Sequence, residues 1–189
     1  KNNLITKNEI VEIEALRYVH LTKYKKKFQF PSSNRILILG GHVKYINNEI
    51  LFSLKNNLAN LNFKFDIKEH PGCPISIPDS LKNDIILVKN PIFDILRYYD
   101  AVIVASDSTV AIETFIYGIN TLIFLPEYDI NTSPLMGIES IKFIHTLRNL
   151  TNEIESYNRQ DLNSVNNIFN LDTNFNKVDK FLKKINIIK

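Results

Sequence analysis

Along the chain, short runs of consecutive apolar residues alternate with stretches whose apolar positions recur every three or four residues. Arg35-Ile36-Leu37-Ile38-Leu39 is an unbroken run ending at Gly40-Gly41, which predicts a buried strand and a tight turn. Ile50, Leu51, Leu54, Leu58 and Leu61 follow at helical offsets and predict a helix over 47–61. The same alternation continues with strands over 63–69 and 84–89, and a short helix that Pro91 can open and that runs through Tyr98. The clearest stretch is 100–118: a β-branched run over 101–105, the polar turn Ser106-Asp107-Ser108-Thr109, and a helical segment that stops at Gly118. Further strands are predicted over 121–125 and 140–145, and a polar helix over 149–158. A helix is predicted over 8–22, with Asn8 as its N-cap, and a final one bears Phe175, Val178, Phe181, Leu182 and Ile185 on one face and lysines on the other. The Asn-, Asp- and Ser-rich segment 160–174 carries the weakest pattern.

Strands that read as nearly continuous apolar runs, alternating with helices, predict a parallel sheet covered on both faces. Right-handed crossovers then give an α/β, Rossmann-like doubly wound sheet of about six strands. This domain is expected over 35–189 together with the C-terminal helix. Residues 1–34 are expected as a helix and linker, because Lys23-Tyr24-Lys25-Lys26-Lys27 is a charge run and Pro31-Ser32-Ser33-Asn34 is turn chemistry. The chain begins at Lys1 rather than at a methionine, so 1–22 also reads as the tail of a missing domain.

Composition narrows the function. The 23 basic and 20 acidic residues leave a net charge of +3, too even a balance to suggest a nucleic-acid partner. Cys73 is alone, so no internal disulfide forms, and no His/Cys cluster suggests a metal site. No apolar run approaches the length of a membrane span and no signal peptide is evident, which suggests a cytoplasmic protein. The basic amphipathic final helix is a surface that docks on a domain or, less commonly, rests on the inner membrane as a peripheral contact.

In a doubly wound sheet, ligands bind beyond the carboxyl ends of the strands where the strand order reverses. The residues just after the strands are therefore the candidates. Gly40 and Gly41 let the backbone approach a ligand or a partner domain, or simply turn the chain. The absence of Gly-x-Gly-x-x-Gly and of Gly-Lys-Ser/Thr argues against a dinucleotide site or a P-loop. His70 follows a strand and precedes Pro71, which restrains the backbone; its imidazole can donate to a phosphate oxygen or, if protonated, assist a departing phosphate. Ser106, Ser108 and Thr109 are ordinary helix-capping residues that together also suit a phosphate at a helix start. Glu113 falls one helical turn after Thr109, where a carboxylate serves either the helix dipole or the hydroxyls of a ribose.

These residues carry a resemblance. Lys68-Glu69-His70-Pro71, followed by the stretch from Tyr98 to Phe124, resembles the C-terminal, nucleotide-sugar-binding half of GT-B glycosyltransferases. The His-Pro motif and the later Ser-Ser/Thr motif are similar to those of bacterial sialyl-, polysialyl- and Kdo-transferases and related surface carbohydrate biosynthesis proteins. Glu14-Ala15-Leu16-Arg17-Tyr18 is similar to a segment of that last group. The resemblance implies a CMP-sugar donor whose phosphate is contacted by His70, Ser108 and Thr109, with Ser106 a further candidate. It implies Glu113 on the ribose and Gly40 and Gly41 facing an interdomain cleft. It also implies transfer to a glycan acceptor of capsule or lipopolysaccharide, held by an N-terminal domain that supplies the general base and does not fit within these 189 residues. No Asp-x-Asp is present to carry a metal between phosphates, and no cofactor is expected.

Three other readings stay open on the residues alone. The same fold serves a polyol-phosphate transferase using CDP-glycerol, or a sugar-nucleotide epimerase. A non-catalytic scaffold that keeps the fold and loses the ligand is the third.

Overall fold

The computed structural model describes residues 11–24, 33–156 and 169–185. These form two compact units, 33–156 and, separately, 11–24 with 169–185.

The larger unit is the expected α/β sheet. Its strands are β1 (Arg35–Leu39), β2 (Lys64–Lys68), β3 (Ile85–Leu87), β4 (Ala101–Ala105), β5 (Asn120–Phe124) and β6 (Lys142–Ile144). All pair in parallel in the order β3-β2-β1-β4-β5-β6. Between them run α1 (Lys44–Asn57), α2 (Ile92–Ile95), α3 (Val110–Tyr117) and, after β6, α4 (Leu150–Glu155). Because α1 carries the chain from β1 to β2 in one direction and α3 carries it from β4 to β5 in the other, right-handed crossovers put the two helices on opposite faces. Ile36, Ile38, Phe65, Ile67, Ile103, Leu122 and Phe124 alternate along the strands and pack with Ile46, Ile50 and Leu54 of α1. The intervening positions Leu37, Leu39, Val102, Val104 and Ile123 are buried too, which explains why the strands read as unbroken apolar runs. Gly118 adopts φ 87°, and its N–H closes α3 on the carbonyls of Thr114 and Phe115 at 3.1 Å each.

At the amino edge of the sheet one charge is buried. Asp66 is 1% exposed in β2 and is held by the Arg35 guanidinium and by the Tyr99 hydroxyl, which donates at 2.6 Å. Burial, reinforced by the bond to Asp66, pushes the Tyr99 phenol well above its ordinary range. The bond to Asp66 likewise raises Arg35. Asp100, just before β4, accepts the N–H groups of Ser33 at 3.0 Å and Arg35 at 3.2 Å, which ties the entry of β1 to that of β4.

In the smaller unit the expected helix over 8–22 does not form across its described part. Only a 3-10 helix, Val19–Tyr24, is present. Glu14 and Ala15 bond to distant partners instead: the Ala15 N–H donates to the Asn170 carbonyl at 2.7 Å. The Glu14 carboxylate receives the N–H groups of Lys177 at 2.6 Å and Val178 at 2.9 Å, at the start of α5 (Asn176–Lys184). Burial alone would push this carboxyl up; the N–H groups of Lys177, Glu14 itself and Val178 together bring it below its ordinary value.

Other boundaries shift by a few residues. α1 starts at Lys44 rather than 47, while β3 and β6 are three residues each, shorter than expected, as sheet-edge strands commonly are. The expected linker over 23–34 and the weakly patterned 160–174 lie largely outside the described residues.

Candidate functional site

The strand order reverses at β1, which pairs with β2 on one side and β4 on the other. All strands point the same way, so the segments following β2, β1 and β4 emerge side by side on one rim. Neighbouring strands are about 4.8 Å apart, so the rim from the end of β2 to the end of β4 spans roughly 10 Å. Gly40-Gly41-His42, His70-Pro71-Gly72-Cys73 and Ser106-Asp107-Ser108-Thr109 all follow these three strand ends.

After β2 the chain turns at once, with the Cys73 N–H donating to the His70 carbonyl at 2.9 Å. Pro71 is exposed on the outside of this turn. Gly72 donates its N–H to His70 Nδ1 at 3.1 Å. That ring nitrogen is therefore an acceptor, which leaves the proton of the neutral imidazole on Nε2. His42, after β1, packs edge-on against the same ring with centroids 5.3 Å apart. His70 thus presents an Nε2–H donor beside a second imidazole.

The glycine pair is filled from both sides by the protein. A Cβ on Gly40 would meet Ile75 at 2.9 Å and Asn47 at 3.3 Å, and one on Gly41 would meet Asp107 Oδ1 at 1.8 Å. The Gly40 N–H donates to the Lys68 carbonyl at 3.0 Å and the Gly41 N–H to Asn47 Oδ1 at 2.8 Å. Both amides are committed internally, and the absence of side chains at 40 and 41 admits Asn47, Ile75 and Asp107 rather than leaving an open cradle.

After β4, the Ser106 N–H donates to the Phe124 carbonyl at 3.0 Å and the Ser108 N–H to the Ala105 carbonyl at 2.9 Å, which fixes a tight turn into α3. Ser106 and Ser108 are buried while Thr109 is exposed. Ser106 Oγ has no hydrogen-bond partner among the described residues. The Thr109 side chain does not cap α3. Glu113 is half-buried in the first turn of that helix. A helix start carries a positive end, and at this one the Ala111 and Ile112 N–H groups donate to the Ser108 and Thr109 carbonyls at 3.3 and 3.1 Å.

His42 and Asp107 lie in strand-end segments that the sequence points to, but what each does emerges only in the structure: His42 packs on His70, and Asp107 sits between two turns. The signal for Asp107 was present as an acid inside a hydroxyl-rich turn, but its partner, the Val43 N–H at 2.7 Å, is 64 positions away. Elsewhere, a cavity of about 490 Å³ lined by Arg35, Leu58, Phe63, Lys64 and Asp84 lies at the amino edge of the sheet, away from this rim. Among the described residues no group of three or more His, Cys, Asp and Glu side chains is placed to hold a metal ion, and no helix is long and apolar enough to cross a membrane.

No protein-family model and no curated protein matches the chain. Similar solved structures include the glycosyltransferase SnogD from Streptomyces nogalater, at 17% identity and a TM-score of 0.46, covering 65% of this chain and 39% of that one. They also include the wall teichoic acid polymerase TagF soaked with CDPG, at 16% identity and a TM-score of 0.43, covering 87% of this chain and 40% of that one. The chain spans about two fifths of the length of these proteins. The α/β, Rossmann-like assignment rests on the strand order itself.

Proposed function

We propose that this chain is the donor-binding half of a GT-B-type glycosyltransferase that uses a CMP-sugar in bacterial surface polysaccharide synthesis. The observation that carries the reading is the sharing of one rim by the His70 Nε2–H donor and the β4–α3 turn at the point where the strand order reverses. The sequence motifs add the choice of ligand: His-Pro after β2 and Ser-Asp-Ser-Thr after β4.

In this reading Ser108, Thr109 and the start of α3 hold the donor phosphate, with Ser106 close behind and Glu113 toward the ribose. An acceptor oxygen attacks the anomeric carbon, and the bond from that carbon to the phosphate oxygen breaks with its electron pair going to the phosphate. His70 donates a hydrogen bond through Nε2 to the oxygen that gains this charge, which is its catalytic contribution. Pro71 and the Gly72 N–H hold the ring in orientation. The acceptor proton passes to a base on the acceptor-binding domain, the partner that completes the cleft. Gly40 and Gly41 act at one remove, by admitting Asp107. The enzyme works in the cytoplasm, at the inner membrane surface where such glycans are assembled.

Calorimetric titration with CMP, CDP and UDP tests the reading. Wild type is expected to bind a cytidine nucleotide, and His70→Ala and Ser108→Ala are each expected to weaken binding about tenfold, the loss of one hydrogen bond to a charged group. Unchanged affinity in both variants would refute the site.

A further inference from the structure

The rim has a further stretch, after β5 and β6, that the nucleotide reading does not use. These strands pair side by side, and the Leu125 N–H extends their ladder to the Ile144 carbonyl at 3.0 Å. The turn over 126–129 closes with the Asp129 N–H on the Pro126 carbonyl at 3.1 Å, and its third residue, Tyr128, stands at φ 68°, a conformation that suits glycine or asparagine. Tyr128 is also 98% exposed and makes no hydrogen bond or ring contact among the described residues. A strained backbone is kept under a large ring that buries almost nothing in the fold. The loop beyond is fastened: Leu135 is fully buried and donates its N–H to Ser133 Oγ at 3.2 Å, while the Ser133 N–H donates to Asn131 Oδ1 at 3.0 Å.

His145, just after β6, adds a fixed acceptor. Its Nδ1 lies 2.7 Å from the Leu125 carbonyl. A carbonyl oxygen only accepts, so Nδ1 carries the proton and Nε2 of the neutral, exposed ring is an acceptor. This is the reverse of His70, whose Nε2 donates. The groups beside Tyr128 are acceptors as well: the Glu127 carboxylate, without a partner among the described residues, and the Asp129 carboxylate, one oxygen of which takes the Ile130 N–H at 2.8 Å.

We infer that Tyr128, Glu127 and His145 form a site for a neutral pyranose, which stacks its C–H face on the tyrosine ring and donates hydroxyls to the carboxylate and to Nε2. An exposed aromatic face with acceptors around it calls for a ligand rich in donors. Two adjacent carboxylates disfavour a phosphate, and they are unlike the core of a protein interface, which is poor in Asp and Glu. The site stands whether or not the nucleotide reading does. Where that reading holds, the pyranose belongs to the acceptor, so this half of the enzyme touches the acceptor itself, roughly 5 to 10 Å along the rim from the start of α3 by strand spacing.

Saturation-transfer NMR of the chain with the methyl glycosides of glucose, galactose, mannose and N-acetylglucosamine tests this. At least one is expected to receive saturation at its ring C–H protons, and added CMP is expected to leave that signal in place. Tyr128→Gly and His145→Ala are each expected to lower the affinity about fivefold, the loss of one stacking contact or one hydrogen bond. Tyr128→Gly is also expected to unfold at a urea concentration no lower than wild type, because glycine relieves the turn and the lost ring buried nothing. No signal from any of the four glycosides, a signal displaced by CMP, or full affinity in either variant overturns the inference. A lower midpoint in Tyr128→Gly overturns it too, since the ring would then serve the fold. Should His145→Ala misfold, the exposed Tyr128 decides alone. Sugar binding without cytidine-nucleotide binding upholds this site and removes the nucleotide reading, so the two fail separately.

Discussion

Asp107 Oδ1 stands 1.8 Å from the point where a Cβ on residue 41 would sit, so glycine at 41 and aspartate at 107 depend on each other. In Gly41→Ala the carboxylate has to swing out of the notch and release the Val43 N–H. The expected cost is about 2 kcal/mol in urea unfolding, the range for a hydrogen bond to a charged group. In an Asp107→Ala background the same substitution is expected to cost much less, because the obstructing carboxylate is gone. A double-mutant cycle measures that non-additivity, and simple additivity would contradict the dependence.

Tyr99 predicts an alkaline limit to stability. Its folded-state pKa is raised by burial and by Asp66, so it favours the folded state while neutral. That contribution is fully present below the unfolded value of about 10 and is lost as the pH rises beyond it. Urea midpoints measured from neutral pH upward are expected to drop above about pH 10, and more steeply in wild type than in Tyr99→Phe. At neutral pH, Tyr99→Phe is expected to cost about 1 kcal/mol, since Arg35 remains on Asp66.

Glu14 predicts the opposite dependence in the smaller unit. Its folded-state pKa lies below the ordinary value of 4.5, so its contribution is present above that pH and is lost as the pH falls through the folded value. Hydrogen exchange of the Lys177 and Val178 amides is the direct readout. Protection there is expected to fall in Glu14→Ala at neutral pH and in wild type on acidification, while the sheet amides keep theirs.

Gly118 sits at φ 87°, where a side chain is strained. Gly118→Ala is expected to destabilise by about 1 kcal/mol, and Gly118→Asn by less, because asparagine tolerates the left-handed region better. Thermal melts of the two variants rank them.

The strands most readable in advance were the buried ones. Residues 35–39 and 101–105 are covered on both faces, so nearly every position is apolar and the run announces itself. The edge strands β3 and β6 were overestimated in length because neighbouring residues share their composition without having a partner to pair with. Asp66 reads as an ordinary polar residue at a strand position. Its burial follows from Arg35 and Tyr99 arriving from other parts of the chain. The rim was legible as a set of strand ends, but the filling of Gly41 by Asp107 was not. The glycine pair alone could equally have been an open cradle.

Periodicity, proline and glycine are local properties, and from them the sequence determined an alternating parallel fold, its approximate strand positions and the stop of α3 at Gly118. The start of α1, the cap on α5 and the filling of the notch over Gly41 were decided by the tertiary structure alone. Each depends on a carboxylate brought in from far along the chain: Asp107 to Val43, Glu14 to Lys177 and Val178. Hydrophobic patterning records which face of an element is buried, whereas the strand order and loop packing that bring distant polar groups together leave no period in the sequence to read.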